Sequence, residues 1–134
     1  MSCISGHFDP NIGPIINIGV RPVAVITPDA NPVVFPALMD TGASNTFVSP
    51  IVIQTVGLRP TGLRPVISAT HSVPVNFYII DLFVPFGPIS SIIPGIQVGE
   101  FIQAGTPYQI LLGRDIICKG AFVISFDGHF TFCL

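Results

Sequence analysis

Fourteen prolines and thirteen glycines are spread along the 134 residues, and that spacing is the strongest limit on what the chain can fold into. Proline removes a backbone donor and fixes φ, while glycine gives up backbone entropy in a helix, so few segments can sustain helical turns. The apolar residues also lack a 3.6-residue period. They come as short runs rich in Val, Ile and Phe, closed by turn residues, which is the pattern of β-strands. The expected class is all-β, and the length fits one domain.

Strand candidates are 15–18, 23–26, 34–39, 46–49, 63–68, 73–80, 121–126 and 130–134, with 28–32 as a turn and 82–101 as strands crossing the core with an extended loop. The run 50–56 is too rich in β-branched residues to read as a helix. Residues 115–120 read as one short helix, with Asp115 at its start, Lys119 near its end and Gly120 after. Asp127-Gly128 favours a two-residue turn between the last two strands.

Hydrophobic residues make up 49% of the chain and charged ones 9%, against roughly a quarter charged in ordinary globular domains. Such an apolar surplus has to be covered, and a subunit interface is the simplest cover. Membrane insertion is a weak rival, because the apolar stretch 82–99 is broken by Pro85, Pro88 and Pro94; a peripheral membrane contact is not favoured. Five Lys and Arg at a net charge of −2 leave no basic patch for nucleic acid. Residues 1–13 show no basic region followed by an apolar core, so no secretory signal is read and a cytoplasmic location is expected. Cys3, Cys118 and Cys133 have no metal-ligand spacing and are expected to be free thiols. His7 and His129 likewise have no partners spaced for a metal or a catalytic triad. No metal or cofactor is expected.

The most informative stretch is Met39-Asp40-Thr41-Gly42-Ala43-Ser44-Asn45, a polar turn between two apolar runs. Asp and Gly suit tight turns on their own account, but three further segments accompany it. Ile110-Leu111-Leu112-Gly113-Arg114-Asp115 lies downstream, just after Gly105-Thr106-Pro107-Tyr108, and Val20-Arg21-Pro22-Val23 lies upstream. Together these resemble the signatures of retropepsin-like aspartic proteases, from about Ile15 to the C-terminus. The resemblance implies a closed β-barrel with a flap hairpin and one short C-terminal helix, in a domain spanning 14–134 preceded by an extension that contributes to a dimer interface.

It also implies roles. Asp40 would be the catalytic carboxylate, with Thr41 fixing the turn through its hydroxyl, and Gly42 and Ala43 completing the turn. Leu111, Leu112, Gly113 and Arg114 would support the loop, with Gly113 allowing a close crossing. Ala43, Asn45, Thr70, His71, Pro107, Tyr108 and Ile110 would contact substrate, and their mostly apolar or uncharged character predicts hydrophobic side chains beside the cut. Residues 63–68 and 73–80 would form the flap, with 69–72 at its tip, and His71 there reads equally as an exposed hairpin histidine. Where retroviral enzymes usually carry an acidic residue, Ser44 stands, so Arg114 has to find another partner such as a backbone carbonyl. Ala43, where pepsin-like enzymes place Ser, implies a working pH from mildly acidic to near neutral.

Peptide hydrolysis by this chemistry needs a water between two carboxylates that share one proton, because like charges that close cannot both ionise. The chain has one Asp-Thr-Gly. Asp81, read as a strand-edge charge, Asp115 and Asp127 lack the matching turn. A working enzyme would therefore be a two-fold homodimer acting on peptides or proteins, with the hydrophobic last strand joining its twin across the interface. Because the termini interleave at the retropepsin interface, the resemblance leaves a Cys3 or Cys133 disulfide between subunits open. The alternative is an inactive dimerisation or peptide-binding module on the same fold.

Overall fold

A computed structural model describes residues 1–23, 31–67, 72–102 and 105–134. The first large strand, β2 (Ile15–Pro22), pairs antiparallel with β3 (Val33–Met39), which in turn runs parallel to β8 (Ile110–Leu112). The short β4 (Phe47–Val48) lies between β8 and β7 (Ile89–Glu100), and β7 forms a long hairpin with β6 (Ser72–Phe86). Pairing of β6 back onto β2 closes these six strands into a barrel in the order β2-β3-β8-β4-β7-β6. Ile18, Val20, Ala37, Val48, Ile80, Leu82, Val84, Val98, Ile110 and Leu112 are fully buried inside it. They recur at alternate positions of their strands, as a single buried face requires. The expected closed all-β architecture is the observed one.

Strand β6 is longer than the barrel needs, and its first half pairs with β5 (Gly62–Ile67) as a hairpin running out from the wall. This is where the flap was expected; of its expected tip, 69–72, residues 69–71 lie outside the described residues and Ser72 opens β6, and most of the 23–26 strand candidate also lies outside them.

Asp81 is not a strand-edge charge. It is 3% exposed and sits opposite Arg21 in the β2–β6 register, with Arg21 Nε donating to its carboxylate at 3.2 Å. The other oxygen accepts the Gly95 N–H at 3.0 Å, at the point where the β6–β7 register slips between Ile80 and Leu82. A bulge frees a backbone donor from its ladder, and the buried carboxylate takes it up.

Two helices are present among the described residues. Helix α1 (Pro50–Val56) forms where none was expected: Pro50 occupies the first turn, Gly57 closes the helix at φ 77°, and Val52 is buried. Favourable ends and core contact outweigh the modest helix penalty of β-branched side chains. Helix α2 (Arg114–Ile117) is shorter than the expected 115–120 segment.

Beyond the barrel, β1 (Cys3–His7), β10 (His129–Cys133) and β9 (Ala121–Ile124) form a three-stranded sheet in the order β1-β10-β9. Strand β10 is thus the middle strand, not an open edge, and segment 1–13 supplies one of its neighbours. Cys3 and Cys133 face each other in the β1–β10 register and form a disulfide within one chain, leaving Cys118 as an exposed free thiol. This overturns the expectation of three free thiols and the alternative of a bridge between subunits. Ser2 and Leu134 exchange backbone hydrogen bonds just outside the pair, so the cysteines occupy a non-hydrogen-bonded position, where facing side chains come closest. The β9–β10 connection holds three residues rather than two. Ser125 N–H donates to His129 O, and Gly128 lies at φ 83°, a left-handed position typical of a three-residue loop with a bulge.

No helix among the described residues is long and apolar enough to cross a membrane.

Candidate active site

Asp40 follows directly on β3, whose Phe35, Ala37 and Met39 face the core. The chain is fixed at that point by β8, with Asp40 N–H donating to Leu112 O at 2.8 Å. Asp40 then organises its own turn: Oδ1 accepts the Gly42 N–H at 2.9 Å and its carbonyl accepts the Ala43 N–H at 3.3 Å. A side-chain carboxylate that bonds the backbone two residues on mimics a backbone turn. The result is a half-buried carboxylate at the end of a barrel strand, with Thr41 and Gly42 exposed beside it.

The loop is held from below by the segment after β8. Gly113 crosses under it so closely that a β-carbon there would lie 2.3 Å from Asn45 O. Arg114 ties down two loop carbonyls, with Nη1 donating to Thr41 O and its backbone N–H to Ala43 O, each at 2.8 Å. The arginine's partner is therefore a backbone carbonyl, not a carboxylate. Thr41 contributes that carbonyl; its hydroxyl makes no hydrogen bond among the described residues, so the turn is fixed by Asp40 and Arg114 instead.

Thr46 and Asp115 supply a connection that sequence reasoning missed. Thr46 is fully buried, and its hydroxyl donates to Asp115 Oδ1 at 2.8 Å while accepting the Gly113 N–H at 3.2 Å. Its backbone N–H donates to Asp115 Oδ2 at 3.0 Å. Asp115 is thus a clamp on the loop as well as an acid in the first turn of α2. Nothing local in the sequence announces a bond between residues so far apart.

A cleft of about 670 Å³ opens beside the loop. Asn45 and Phe47 form its loop side, Arg64 and Val66 its β5 side, and Phe77 and Ile96 its inner wall. The β5–β6 hairpin therefore borders the cleft as a flap would. Asp40 is not among its walls in the single chain. Arg64 lies over the Phe77 ring at 5.7 Å from its centroid, and Lys119 adds a second cation at the margin, so the lining is more mixed than the expected residues implied.

Those residues fall in different places. Asn45 lines the cleft; Ala43 does not. Ile110 is fully buried in the barrel, facing Ala37 and Val48 in register. It is a core residue, and the half-buried Leu111 occupies the other face of β8. Pro107 is exposed, and Tyr108 packs toward Phe101 at a ring separation of 6.2 Å, away from the cleft walls. Thr70 and His71 lie outside the described residues. Among the described residues no three His, Cys, Asp or Glu side chains gather to hold a metal ion.

No protein-family model and no curated protein sequence matches the chain. Among solved structures it is similar to a retropepsin-like aspartic protease from Rickettsia conorii, whose crystal structure superimposes with a TM-score of 0.64 over 97% of this chain and 89% of that one, at 17% identity. The fold is retropepsin-like. Within the retropepsin-like fold the Asp40 turn stands at the end of a barrel strand, the Gly113-Arg114 crossing stands beneath it, and the β5–β6 hairpin flanks the neighbouring cleft.

Proposed function

We propose that the protein is an aspartic endopeptidase that acts as a two-fold homodimer, with Asp40 and its symmetry mate sharing one proton and one water. The observation that carries this reading is the Asp40 turn itself. A carboxylate on an exposed, rigidly tethered loop, beside a cleft bordered by a hairpin, serves no evident packing purpose. Held against a twin, it supplies the chemistry that peptide hydrolysis needs. The ionised carboxylate takes a proton from the water as its oxygen attacks the peptide carbonyl, while the protonated one donates its proton to the carbonyl oxygen; on collapse the first carboxyl passes the water's proton to the leaving amine and the second takes back a proton from the gem-diol, restoring the shared proton. An extended peptide would lie between hairpin and loop, held through its backbone. Phe47, Val66, Phe77 and Ile96 along the cleft support a preference for hydrophobic side chains.

The test is cleavage of a diverse peptide library by the wild-type chain and by Asp40→Asn. The expected result is hydrolysis by the first only, with the dimer retained by both. Loss of a catalytic carboxylate should lower the rate by at least about 10³-fold, the scale of acid–base catalysis. If Asp40→Asn cuts as well as wild type, or if neither cuts while both bind peptide, the enzymatic reading fails in favour of a binding module. With Ala43 where pepsin-like enzymes place Ser, a pH–rate profile peaking from mildly acidic to near neutral is expected. A maximum in strongly acidic solution would contradict that expectation.

A further inference from the structure

The chain has five Lys and Arg residues, and two of them stand at one cleft. Arg64, on β5, and Lys119, just after α2, both line the hollow beside the Asp40 loop. Alternation along β5 sets the side for Arg64: Leu63 faces a separate hollow with Val73 and Val75, and Arg64 faces the cleft. Both cations are exposed, and neither makes an ion pair among the described residues. Arg21 and Arg114, by contrast, are engaged within the chain, by Asp81 and by Thr41 O.

The cleft has one carboxylate of its own. Asp115 lies in its wall, but Thr46 occupies both oxygens, Oδ1 through its hydroxyl and Oδ2 through its backbone N–H. Two positive side chains against one negative leave the lining positive by one, in a chain whose net charge is −2. Phe77 prepares the stronger of the two contacts. The Arg64 guanidinium lies over its ring, 5.7 Å from the centroid, which holds the side chain at the cleft while its N–H groups stay available. Those groups form the planar fork that grips a carboxylate through two parallel hydrogen bonds. Lys119 adds a point charge from a different element.

We propose that the cleft selects peptides with an acidic side chain at a position flanking the cut, held by Arg64 and Lys119. Asp40 is not a wall of this cleft in the single chain, so the charged contact falls beside the cut and leaves hydrophobic residues to adjoin it. The proposal rests on the peptide-cleaving reading above and narrows its substrate class. A contact so far from the reacting bond holds substrate and transition state alike, so it acts chiefly on KM. It also joins the β5–β6 hairpin, through Arg64, to the segment after α2.

The experiment measures kcat and KM on matched peptides that share their hydrophobic residues and differ only by Glu or Gln at each flanking position in turn. At one position or more the Glu peptide should be cut about tenfold better, chiefly through KM, and the ratio should fall toward one as salt is raised. Arg64→Gln and Lys119→Gln should each lower that ratio about threefold. Arg64→Glu should reverse it in favour of a Lys peptide, a gain that misfolding cannot produce. Fluorescence anisotropy of the same peptides with Asp40→Asn, alone and combined with Arg64→Gln, reads the charge selection without turnover. A Glu-to-Gln ratio near one at every position, binding of no peptide at all, or a preference that both Gln variants leave intact would overturn the proposal. Cleavage without charge preference would do so and leave the proteolytic reading standing. Tighter binding of the Glu peptide, lost with Arg64→Gln, in a chain that cuts nothing would uphold the charge selection and refute the proteolytic reading instead.

Discussion

Gly113 is the residue on which the geometry of the loop most depends. Any side chain there meets backbone, since the nearest atoms to an added β-carbon belong to Asn45 and Ala43 main chain. Gly113→Ala should therefore cost at least about 3 kcal/mol, the upper end of overpacking penalties, and lower the melting temperature by roughly 10 °C. Differential scanning calorimetry would show it, and a variant melting within 2 °C of wild type, roughly 1 kcal/mol or less, would show that the loop can lift away. The Asp40 turn was legible in the sequence because its logic is local: an Asp, a Gly two residues on, and an apolar strand before them. The Thr46–Asp115 clamp was not, because its partners are 69 positions apart and each has an ordinary local explanation. Ile110 shows a subtler failure. A strand alternates its faces at every residue, and Ile110 falls on the face that points into the barrel.

At the level of elements, the sheet bulge that Asp81 fills joins β2, β6 and β7 at one point. Asn at this position still accepts the Gly95 N–H, so Asp81→Asn isolates the loss of charge opposite Arg21. Removing one member of a buried ion pair costs about 3–5 kcal/mol. Arg21 keeps 20% of its side chain in water, so about 2–4 kcal/mol is expected. Urea unfolding would measure it, and a change below about 0.5 kcal/mol would class the pair with surface salt bridges. Strands were the readable elements, since their boundaries follow apolar runs and turn residues. Helix α1 was hidden by its β-branched composition, and its stability comes from its ends and from contact with the barrel. The place of β10 was hidden for another reason: a strand's neighbours are chosen by topology, and no feature of 129–133 reveals that β1, from the other end of the chain, lies beside it.

For the whole molecule, the disulfide closes a long loop, its cysteines 130 positions apart. Cross-links over long loops chiefly restrict the unfolded chain and contribute roughly 2–4 kcal/mol. Reduction should lower the melting temperature by on the order of 10 °C, and Cys3→Ser should reproduce that shift without reductant. Equal melting with and without reductant would mean that the bridge contributes nothing to stability. The apolar composition that suggested a partner is only partly spent in the barrel. Val123, Ile124 and Phe126 remain on the surface of the single chain, and the catalytic reading requires a second subunit for independent reasons.

Because the neighbour of β1 among the described residues is β10, residues 3–7 wait for residues 129–133 before they find a place in the sheet. Strand β1 stays without its sheet partner until residue 133 has been made, which leaves a late closing step exposed to aggregation.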